Sequence, residues 1–195
     1  MPDRSVPTES STRRASGASL RIGHGYDLHR LEPLAPAGAG RPFVLAGVRF
    51  DHPCGPVGHS DGDALFHAIA DALLGAAGLP DIGQLYPDSD PALENLDSRT
   101  IIESAAARIA AEGWRIVNVD ATVVCERPKI APRKTELVRS IAGALRIDVG
   151  QVNLKGKTHE RVDAVGEGRA IEVHVVALLA AVDRDAGGGG GAPDA

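Results

Sequence analysis

Apolar and polar residues alternate along much of the chain with a period of two, the pattern of strands that bury one face. Five stretches show this alternation: residues 20–28, 43–50, 115–126, 151–159 and 170–181. The second stretch fits either a strand or a hairpin, and the other four are typical of single strands. The pattern therefore predicts a sheet built from segments that are spread over most of the chain.

Apolar residues spaced three and four apart predict a first helix over residues 60–78. Ser60 is expected to be its N-cap, two aspartates fall in the first turn, where they complement the helix dipole, and Gly78 ends the helix. The segment that follows, residues 79–96, is rich in proline and aspartate. Loops of that length are usually either functional or disordered.

Two more helices are predicted in the second half of the chain. One begins at Asp97 or Ser98 and continues to Ala111, and the other covers residues 132–145 with Pro132 near its first position. Because strands and helices interleave, we expect an α/β (α+β) fold. In detail, the expectation is a single two-layer sandwich, with a mixed sheet of the four-stranded type and helices on one face.

The composition is that of a globular protein, with 43% apolar and 24% charged residues in a chain of 195. One folded domain is expected over residues 20–183, between a disordered N-terminal extension (residues 1–19) and a flexible glycine-rich tail (residues 184–195). The formal net charge of −5 argues against a nucleic-acid partner. An acidic chain can still bind an anionic small molecule where metal ions supply positive charge.

The sequence also limits where the protein acts. No apolar run approaches the roughly 20 residues that span a bilayer, and the N-terminus lacks the apolar segment of a secretory signal, so no membrane partner is expected. Cys54 and Cys125 are the two cysteines, too few for a disulfide framework. A cytoplasmic location is therefore the expectation.

Asp27 and His29 stand two apart in the first predicted strand, so their side chains share a face. Taken alone, this pair is better explained as a turn-capping aspartate beside a partly buried histidine. His67 lies on the first predicted helix, four residues from both Asp63 and Asp71, and could itself be a half-buried core histidine. Two histidines and an aspartate from two elements would instead form a three-ligand site with an open fourth position, typical of catalytic zinc. Chemistry alone leaves both interpretations open.

Longer stretches of the sequence resemble the family of 2-C-methyl-D-erythritol 2,4-cyclodiphosphate synthases, enzymes of the non-mevalonate isoprenoid pathway. The stretches that carry the resemblance are GHGYDLHRL, GHSDGDALFHAIADALLGAAGLPDIGQLYPDSDP, DSRTII, NVDATVV, ERPK and VNLKGKTHE. They occur in order over nearly all of residues 20–181. The resemblance implies a lyase that converts 4-diphosphocytidyl-2-C-methyl-D-erythritol 2-phosphate to the cyclic diphosphate and CMP.

The resemblance also implies two metal ions. Asp27, His29 and His67 match the family's zinc ligands. Glu160 matches an acidic residue near a second divalent ion, magnesium or manganese, and Thr158 matches a hydroxyl that contacts phosphate. These five residues are the expected catalytic set.

Substrate contacts are implied in three segments of the chain. They are His59 and Ser60 at the methylerythritol phosphate end, Asp81, Ile82, Gly83, Tyr86 and Asp88 in the loop over the erythritol, and Cys125, Pro128, Lys129 and Ile130 in the cytosine pocket. Of these, Cys125 is expected to be a small buried residue rather than a nucleophile.

The sequence departs from the family pattern in one loop. The family often has G-R-G-E where this chain has Gly166-Glu167-Gly168-Arg169, so the acid and the base are exchanged. Arg169 is hypothesised to reach a phosphate from its new position, because residues i and i+2 of a strand share a face. Lys157, where the family often has threonine, adds a second cation beside the phosphate-binding segment.

The resemblance finally implies a homotrimer with each active site between neighbouring subunits. The strongly apolar segment 170–181 agrees with this, since a lone two-layer domain would expose excess apolar surface. Two alternatives remain. One is another metal-dependent phosphodiesterase or phosphotransfer enzyme on the same scaffold, and the other is a binding module that has lost turnover.

Overall fold

The computed structural model of the protein describes residues 19–58, 60–87 and 89–182. Over these ranges the strands are β1 (Leu20–Pro33), β2 (Val44–Leu45), β3 (Val48–Arg49), β4 (Cys54–Pro56), β5 (Trp114–Val124), β6 (Val152–Lys157) and β7 (Ala170–Ala181). Within that part of the chain, five strands form one sheet in the order β4-β1-β7-β5-β6, and β2 and β3 form a separate hairpin. The sheet is mixed, since β5 and β6 are parallel and the other neighbours are antiparallel.

The helices supply the second layer of the molecule. They are α1 (Ala64–Ala77), α2 (Ile82–Leu85), α3 (Ser98–Ala111), α4 (Lys134–Leu145) and the single turn α5 (Asp163–Gly166). The three long helices α1, α3 and α4 pack on one face of the sheet and share a continuous apolar core with it. The predicted two-layer arrangement is confirmed. None of the helices in the described ranges combines the length and the apolarity that crossing a membrane requires.

The two faces of the sheet differ in burial. Along β7, Val173, Val175 and Ala177 are fully buried against the helices. On the opposite face Ile22 of β1 is 72% exposed and Val176 of β7 is 44% exposed. Within the described residues, the sheet therefore presents an apolar outer face that none of the three long helices covers.

Helix α1 approaches β1 closely because two glycines of the strand face it. A Cβ atom added at Gly25 would lie 1.8 Å from the carbonyl oxygen of Ala68, and one at Gly23 would lie 1.9 Å from that of Ala72. Both positions lie on the same face of β1 as Asp27 and His29. The glycines thus set the strand–helix distance at which His67 of α1 can reach the strand carboxylate.

The helix α1 begins later than the sequence predicted. Ser60 is not its N-cap; the cap is Asp63, whose side chain accepts a hydrogen bond from the N–H of Phe66 at 3.1 Å. The same fully buried carboxylate accepts the N–H groups of Ala46 at 2.8 Å and Gly47 at 2.6 Å, in the β2–β3 turn. Three backbone donors from two segments fix Asp63 as the cap. Two of them are far from Asp63 in sequence, so the local pattern gives no sign of them.

Other element boundaries differ from the predictions in smaller ways. The stretch 43–50 is the hairpin β2–β3, and the short β4 adds a fifth strand to the expected four. The long loop contains α2 and a 3-10 turn at Pro91–Leu93, each started by an aspartate that accepts a backbone N–H. Pro132 lies in a 3-10 turn before α4 rather than in its first turn.

The predicted ends of the chain remain predictions. Most of the expected extension (residues 1–18) and the tail from residue 183 onward lie outside the described residues. Ser19 is described, and its carbonyl accepts the N–H of Ala181 at 2.9 Å, which ties the start of β1 to the end of β7.

Candidate metal and substrate site

Asp27, His29 and His67 meet at the junction of β1 and α1. Oδ2 of Asp27 lies 3.0 Å from Nε2 of His29 and 3.1 Å from Nδ1 of His67, and the two nitrogens are 3.4 Å apart. Ligand atoms about 2.0–2.1 Å from a tetrahedral zinc ion are separated from one another by about 3.3 Å. The three atoms therefore form a triangle of the size that a small divalent cation requires, and each residue can offer one ligand atom.

The charges of the triad favour a bound cation. Burial alone would raise the pKa of Asp27, but hydrogen bonds and charge from His29 and His67 outweigh it and hold the pKa of that carboxyl well below its usual range. Burial opposes the charged form of His67, yet Asp27 raises the pKa of its imidazole, so a bound cation has to displace a proton from this histidine. A carboxylate that stays ionised at neutral pH is the form a metal ligand must take.

A cavity of about 350 Å³ opens beside the triad. Its other walls come from the segments that flank α1, namely Val57, Gly58, Ser60, Ile82, Gly83, Tyr86, Pro87, Asp90, Leu93, Leu96 and Ile101. Four of the expected substrate-binding residues, Ser60, Ile82, Gly83 and Tyr86, are therefore in this wall. The apolar members would surround a bound carbon chain while the triad meets its charged end.

One expected residue of this region that the structure describes, Asp81, does not line the cavity. The carboxylate of Asp81 caps α2 by accepting the N–H of Gln84 at 2.8 Å, and it also accepts a hydrogen bond from the Gln84 side chain at 2.9 Å. Asp81 therefore shapes the cavity wall instead of contributing to its surface. His59 and Asp88 lie outside the described residues.

A second cluster lies at the ends of β5 and β6. The N–H of Cys125 donates to the carbonyl of Lys157 at 3.0 Å, and a Cβ atom on Gly156 would lie 2.9 Å from the side chain of Ile130. The 125–130 loop is thereby packed against the start of the segment that carries Thr158 and Glu160. The loop expected to bind cytosine therefore lies next to the segment expected to bind phosphate.

The Thr158–Asp163 segment has an unusual backbone. Glu160, Arg161 and Asp163 have φ angles of 52°, 68° and 63°, in the left-handed region that non-glycine residues seldom adopt. The side chain of Asp163 accepts the N–H groups of Val165 at 2.8 Å and Gly166 at 3.2 Å, which holds the turn. Strained backbone of this kind is frequent at ligand-binding segments.

The two clusters sit at the same end of the sheet but on different strands. Asp27 pairs with Val173, Val173 with Val123, and Val123 with Gly156, so the triad and the start of the second cluster share one row across the sheet. Three strand spacings separate β1 from β6, which is about 14 Å. No residue from 125–130 or 157–160 lines the triad cavity.

Residues 20–180 match the family model described as the YgbB family. This chain belongs to the YgbB family. A 2-C-methyl-D-erythritol 2,4-cyclodiphosphate synthase of Chromobacterium violaceum is 51% identical over 161 residues, which are 83% of this chain and 98% of that protein.

Two solved structures of YgbB-like chains are also similar. IspF from Plasmodium falciparum, a CDP complex, has a TM-score of 0.73 at 34% identity, covering 86% of this chain and 100% of that one. The bifunctional IspDF of Campylobacter jejuni has a TM-score of 0.79 at 34% identity. It covers 86% of this chain, which in turn spans 44% of the bifunctional protein.

In this YgbB family member Arg169 is paired with Glu167, the acidic residue with which it has changed places relative to the family pattern. Its Nε lies 2.8 Å from Oε2 of Glu167, and both side chains are exposed. The carbonyl of Arg169 accepts the N–H of Leu31 at 2.8 Å, so its backbone is fixed beside β1. Contact with a phosphate would require Arg169 to leave Glu167, and its role stays a prediction.

Several site residues of the family member were not anticipated from the sequence. Asp90, Leu93, Leu96 and Ile101 line the cavity, and Ser98 touches His67. The resemblance implied that residues 79–96 form a binding loop, but the short turn that places Asp90 and Leu93 in the cavity wall has no regular period. The Ser98–His67 contact joins residues 31 apart, and local sequence carries no signal for it.

Proposed function

We propose that this protein converts 4-diphosphocytidyl-2-C-methyl-D-erythritol 2-phosphate into 2-C-methyl-D-erythritol 2,4-cyclodiphosphate and CMP. The observation that carries the proposal is the Asp27–His29–His67 triangle beside a cavity, in a chain that matches synthases over almost their full length. The substrate's own 2-phosphate is the nucleophile. No side-chain nucleophile is therefore needed, and the protein contributes orientation and charge neutralisation.

Zinc is the ion that the triad suits best, because two imidazoles and one carboxylate leave a fourth position open. When bound, such an ion polarises a phosphoryl oxygen as a Lewis acid. The protein residues hold and orient the substrate. The triad fixes one end of it, and the apolar cavity wall formed by Ile82, Leu93 and Ile101 keeps water away from the reacting phosphates.

The cytidine diphosphate end is assigned to the second cluster. Glu160 would hold a second divalent ion, magnesium or manganese, because hard cations prefer oxygen ligands and keep contact with substrate phosphates. Thr158 offers a hydroxyl beside it, and Lys129 and Lys157 supply positive charge. Cys125 and the neighbouring backbone from Pro128 to Ile130 are assigned to the pocket for the base. The similar Plasmodium structure is a CDP complex, which supports a cytidine diphosphate ligand.

The active protein is proposed to be a homotrimer with sites between subunits. Two observations support this. Strand β1 of the triad and strand β6 of the second cluster are about 14 Å apart in one chain, and no residue of the second cluster lines the triad cavity. The outer face of the sheet exposes apolar side chains that a second copy would cover: Leu20, Ile22, Tyr26, Leu28 and Val176.

Two free cysteines are consistent with action in the reducing cytoplasm.

Product analysis by phosphorus NMR tests the proposal. The protein is incubated with the cytidyl substrate, zinc and magnesium, and the spectrum is followed with time. The proposal predicts two coupled signals of a cyclic diphosphate together with one equivalent of CMP. A linear product would instead identify a metal-dependent phosphodiesterase, and an unchanged substrate would identify a binding module.

A further inference from the structure

The imidazole of His67 has a partner on the side away from the triad. Its Nε2 lies 2.8 Å from the hydroxyl oxygen of Ser98, the first residue of α3. Ser98 is completely buried and His67 is 7% exposed, so water does not compete for this contact. The hydroxyl of Ser98 in turn makes a short hydrogen bond to Oδ1 of Asp61.

The direction of each hydrogen bond follows from what the groups can do. Asp61 also accepts the N–H of Ser98 at 3.2 Å and the N–H of Asp63 at 3.2 Å, so its carboxylate acts as an acceptor throughout. The single hydroxyl proton of Ser98 must therefore point to Asp61. Since the hydroxyl has no second proton, it accepts from His67, so Nε2 carries a proton. A cation at the triad would take the place of any proton on Nδ1, which lies 3.1 Å from Oδ2 of Asp27.

From this chain of bonds we infer that Ser98 and Asp61 are positioning residues that keep the lone pair of His67 Nδ1 directed at the triad. A neutral imidazole has one N–H and one lone pair, so a proton fixed on Nε2 leaves Nδ1 free to bind a cation. Partners of this kind beyond the ligand shell orient metal-binding histidines and raise their basicity. The inference rests on the proposed metal site.

The surrounding backbone keeps the chain of bonds rigid. The N–H of Asp61 donates to the carbonyl of Leu96 at 3.3 Å, which ties the segment before α1 to the segment before α3. Asp97 caps α3 by accepting the N–H of Arg99 at 2.8 Å. The hydroxyl of Ser98 is therefore fixed by the start of α3, whereas His67 is fixed by α1.

The first test measures the zinc affinity of the full chain. The protein is stripped of metal and then titrated with zinc in competition with a chromophoric chelator. Ser98→Ala is expected to weaken zinc binding by about 10- to 100-fold, the usual cost of removing such a partner. Asp61→Ala should weaken it as much, because the Ser98 hydroxyl could then turn its proton toward Nε2. The control is Ser104→Ala on the same helix, whose hydroxyl contacts Arg108, and it should bind zinc as wild type does.

A spectroscopic readout separates this role from general destabilisation. In zinc-loaded protein labelled with ¹⁵N-histidine, the Nε2 proton of His67 should exchange slowly with water, and it should exchange rapidly in Ser98→Ala. The double variant with Asp61→Ala should lose no more affinity than the worse single variant, because both changes break one chain.

The outcomes distinguish the inference from the proposed function. Wild-type protein that binds no zinc would overturn both. If wild type binds zinc and a folded Ser98→Ala variant binds it equally well, with the His67 proton still protected, the inference fails and the proposed function stands. Additive losses in the double variant would also contradict a single chain of bonds. If Ser98→Ala fails to fold, the zinc affinity of Asp61→Ala and the exchange rate of the His67 proton in wild type test the inference instead.

Discussion

The thiol of Cys125 is 5% exposed and lies 2.7 Å from the carbonyl oxygen of Arg127, to which it donates. Burial raises the pKa of this thiol to about 11, and the hydrogen bond to Arg127 acts in the opposite direction. Since only the thiolate is nucleophilic, Cys125 packs against its neighbours without reacting. This agrees with the expectation that Cys125 is a small buried residue rather than a nucleophile.

Alkylation of the native protein checks this reading of Cys125. At pH 8 the thiolate fraction of a thiol with pKa about 11 is roughly 200-fold smaller than that of an ordinary cysteine. Iodoacetamide should therefore modify Cys54, which is partly exposed, long before Cys125. The rate at Cys125 should rise about tenfold per pH unit, since its thiolate forms only as pH approaches 11.

Mass spectrometry of peptides after timed alkylation gives both rates, and unfolded protein, in which the two cysteines should react alike, is the control. Equal rates at the two positions in the native state would contradict the account of Cys125.

Single residues of the site differ in how far the sequence reveals them. Asp27 and His29 share a face by the period of a strand, and His67 was placed by the period of a helix, but it was the family resemblance that joined the three into one expected metal site. Ser98 and Asp61 act only through contacts between segments that are far apart in sequence. The position of Asp90 in the cavity wall likewise depends on a turn that has no sequence period.

At the scale of elements, the contact between β1 and α1 controls the triad. Gly25→Ala would place a methyl group 1.8 Å from the carbonyl oxygen of Ala68, and backbone cannot move aside as a flexible side chain can. We expect a loss of about 1–3 kcal/mol in the free energy of unfolding. Zinc affinity should fall with it, because displacing α1 carries His67 away from Asp27.

Gly75→Ala is the matched control, on helix α1, which faces Gly25. Gly75 is exposed, and a Cβ atom there meets nothing within 4 Å, so the variant should gain up to about 1 kcal/mol from helix propensity. Urea unfolding measures both variants. A Gly25→Ala protein as stable as Gly75→Ala would show that the close approach does not matter.

The half-buried Asp71 connects α1 to the cavity wall. Its Oδ1 accepts the N–H of Ile82 at 2.9 Å, and burial raises the pKa of its carboxyl. Asp71→Ala should leave that N–H without an acceptor and loosen α2, so we expect a several-fold higher KM with a smaller change in kcat. Asp71→Asn retains an oxygen acceptor and removes the buried charge, so its KM should stay near wild type.

Steady-state kinetics with the cytidyl substrate separates these two variants. A KM for Asp71→Ala equal to that of Asp71→Asn would mean that the Ile82 hydrogen bond does not hold the wall in place.

Element boundaries were less predictable than element types. The long strands and the three long helices follow from their periods, and Gly78 ends α1 as predicted. The start of α1 was misplaced at Ser60 because the cap, Asp63, is selected by N–H groups of Ala46 and Gly47 as well as by its own helix. The short β4 has too few residues to show any period.

At the scale of the whole molecule, the proposed trimer depends on contacts made by the outer face of the sheet. If a second copy covers it, Ile22→Glu would bury a charge without a partner, which is strongly unfavourable. Light scattering during gel filtration should then give wild type three times the chain mass of 20.2 kDa, and the variant a single chain.

Val149→Glu serves as the control for the assembly. Val149 is also apolar and is 55% exposed, but it lies in the 3-10 turn before β6 rather than on the sheet face. This variant should remain a trimer. Wild type that elutes as a single chain, or an Ile22→Glu trimer, would contradict the proposed assembly.

A cation held by Asp27, His29 and His67 is the claim on which the mechanism depends. Crystals of zinc-loaded protein, measured on both sides of the zinc absorption edge, locate the ion directly by its anomalous scattering. The account predicts one strong peak per chain, about 2.0–2.1 Å from Oδ2 of Asp27, Nε2 of His29 and Nδ1 of His67. Anomalous density elsewhere, with these three atoms free of metal, would contradict it.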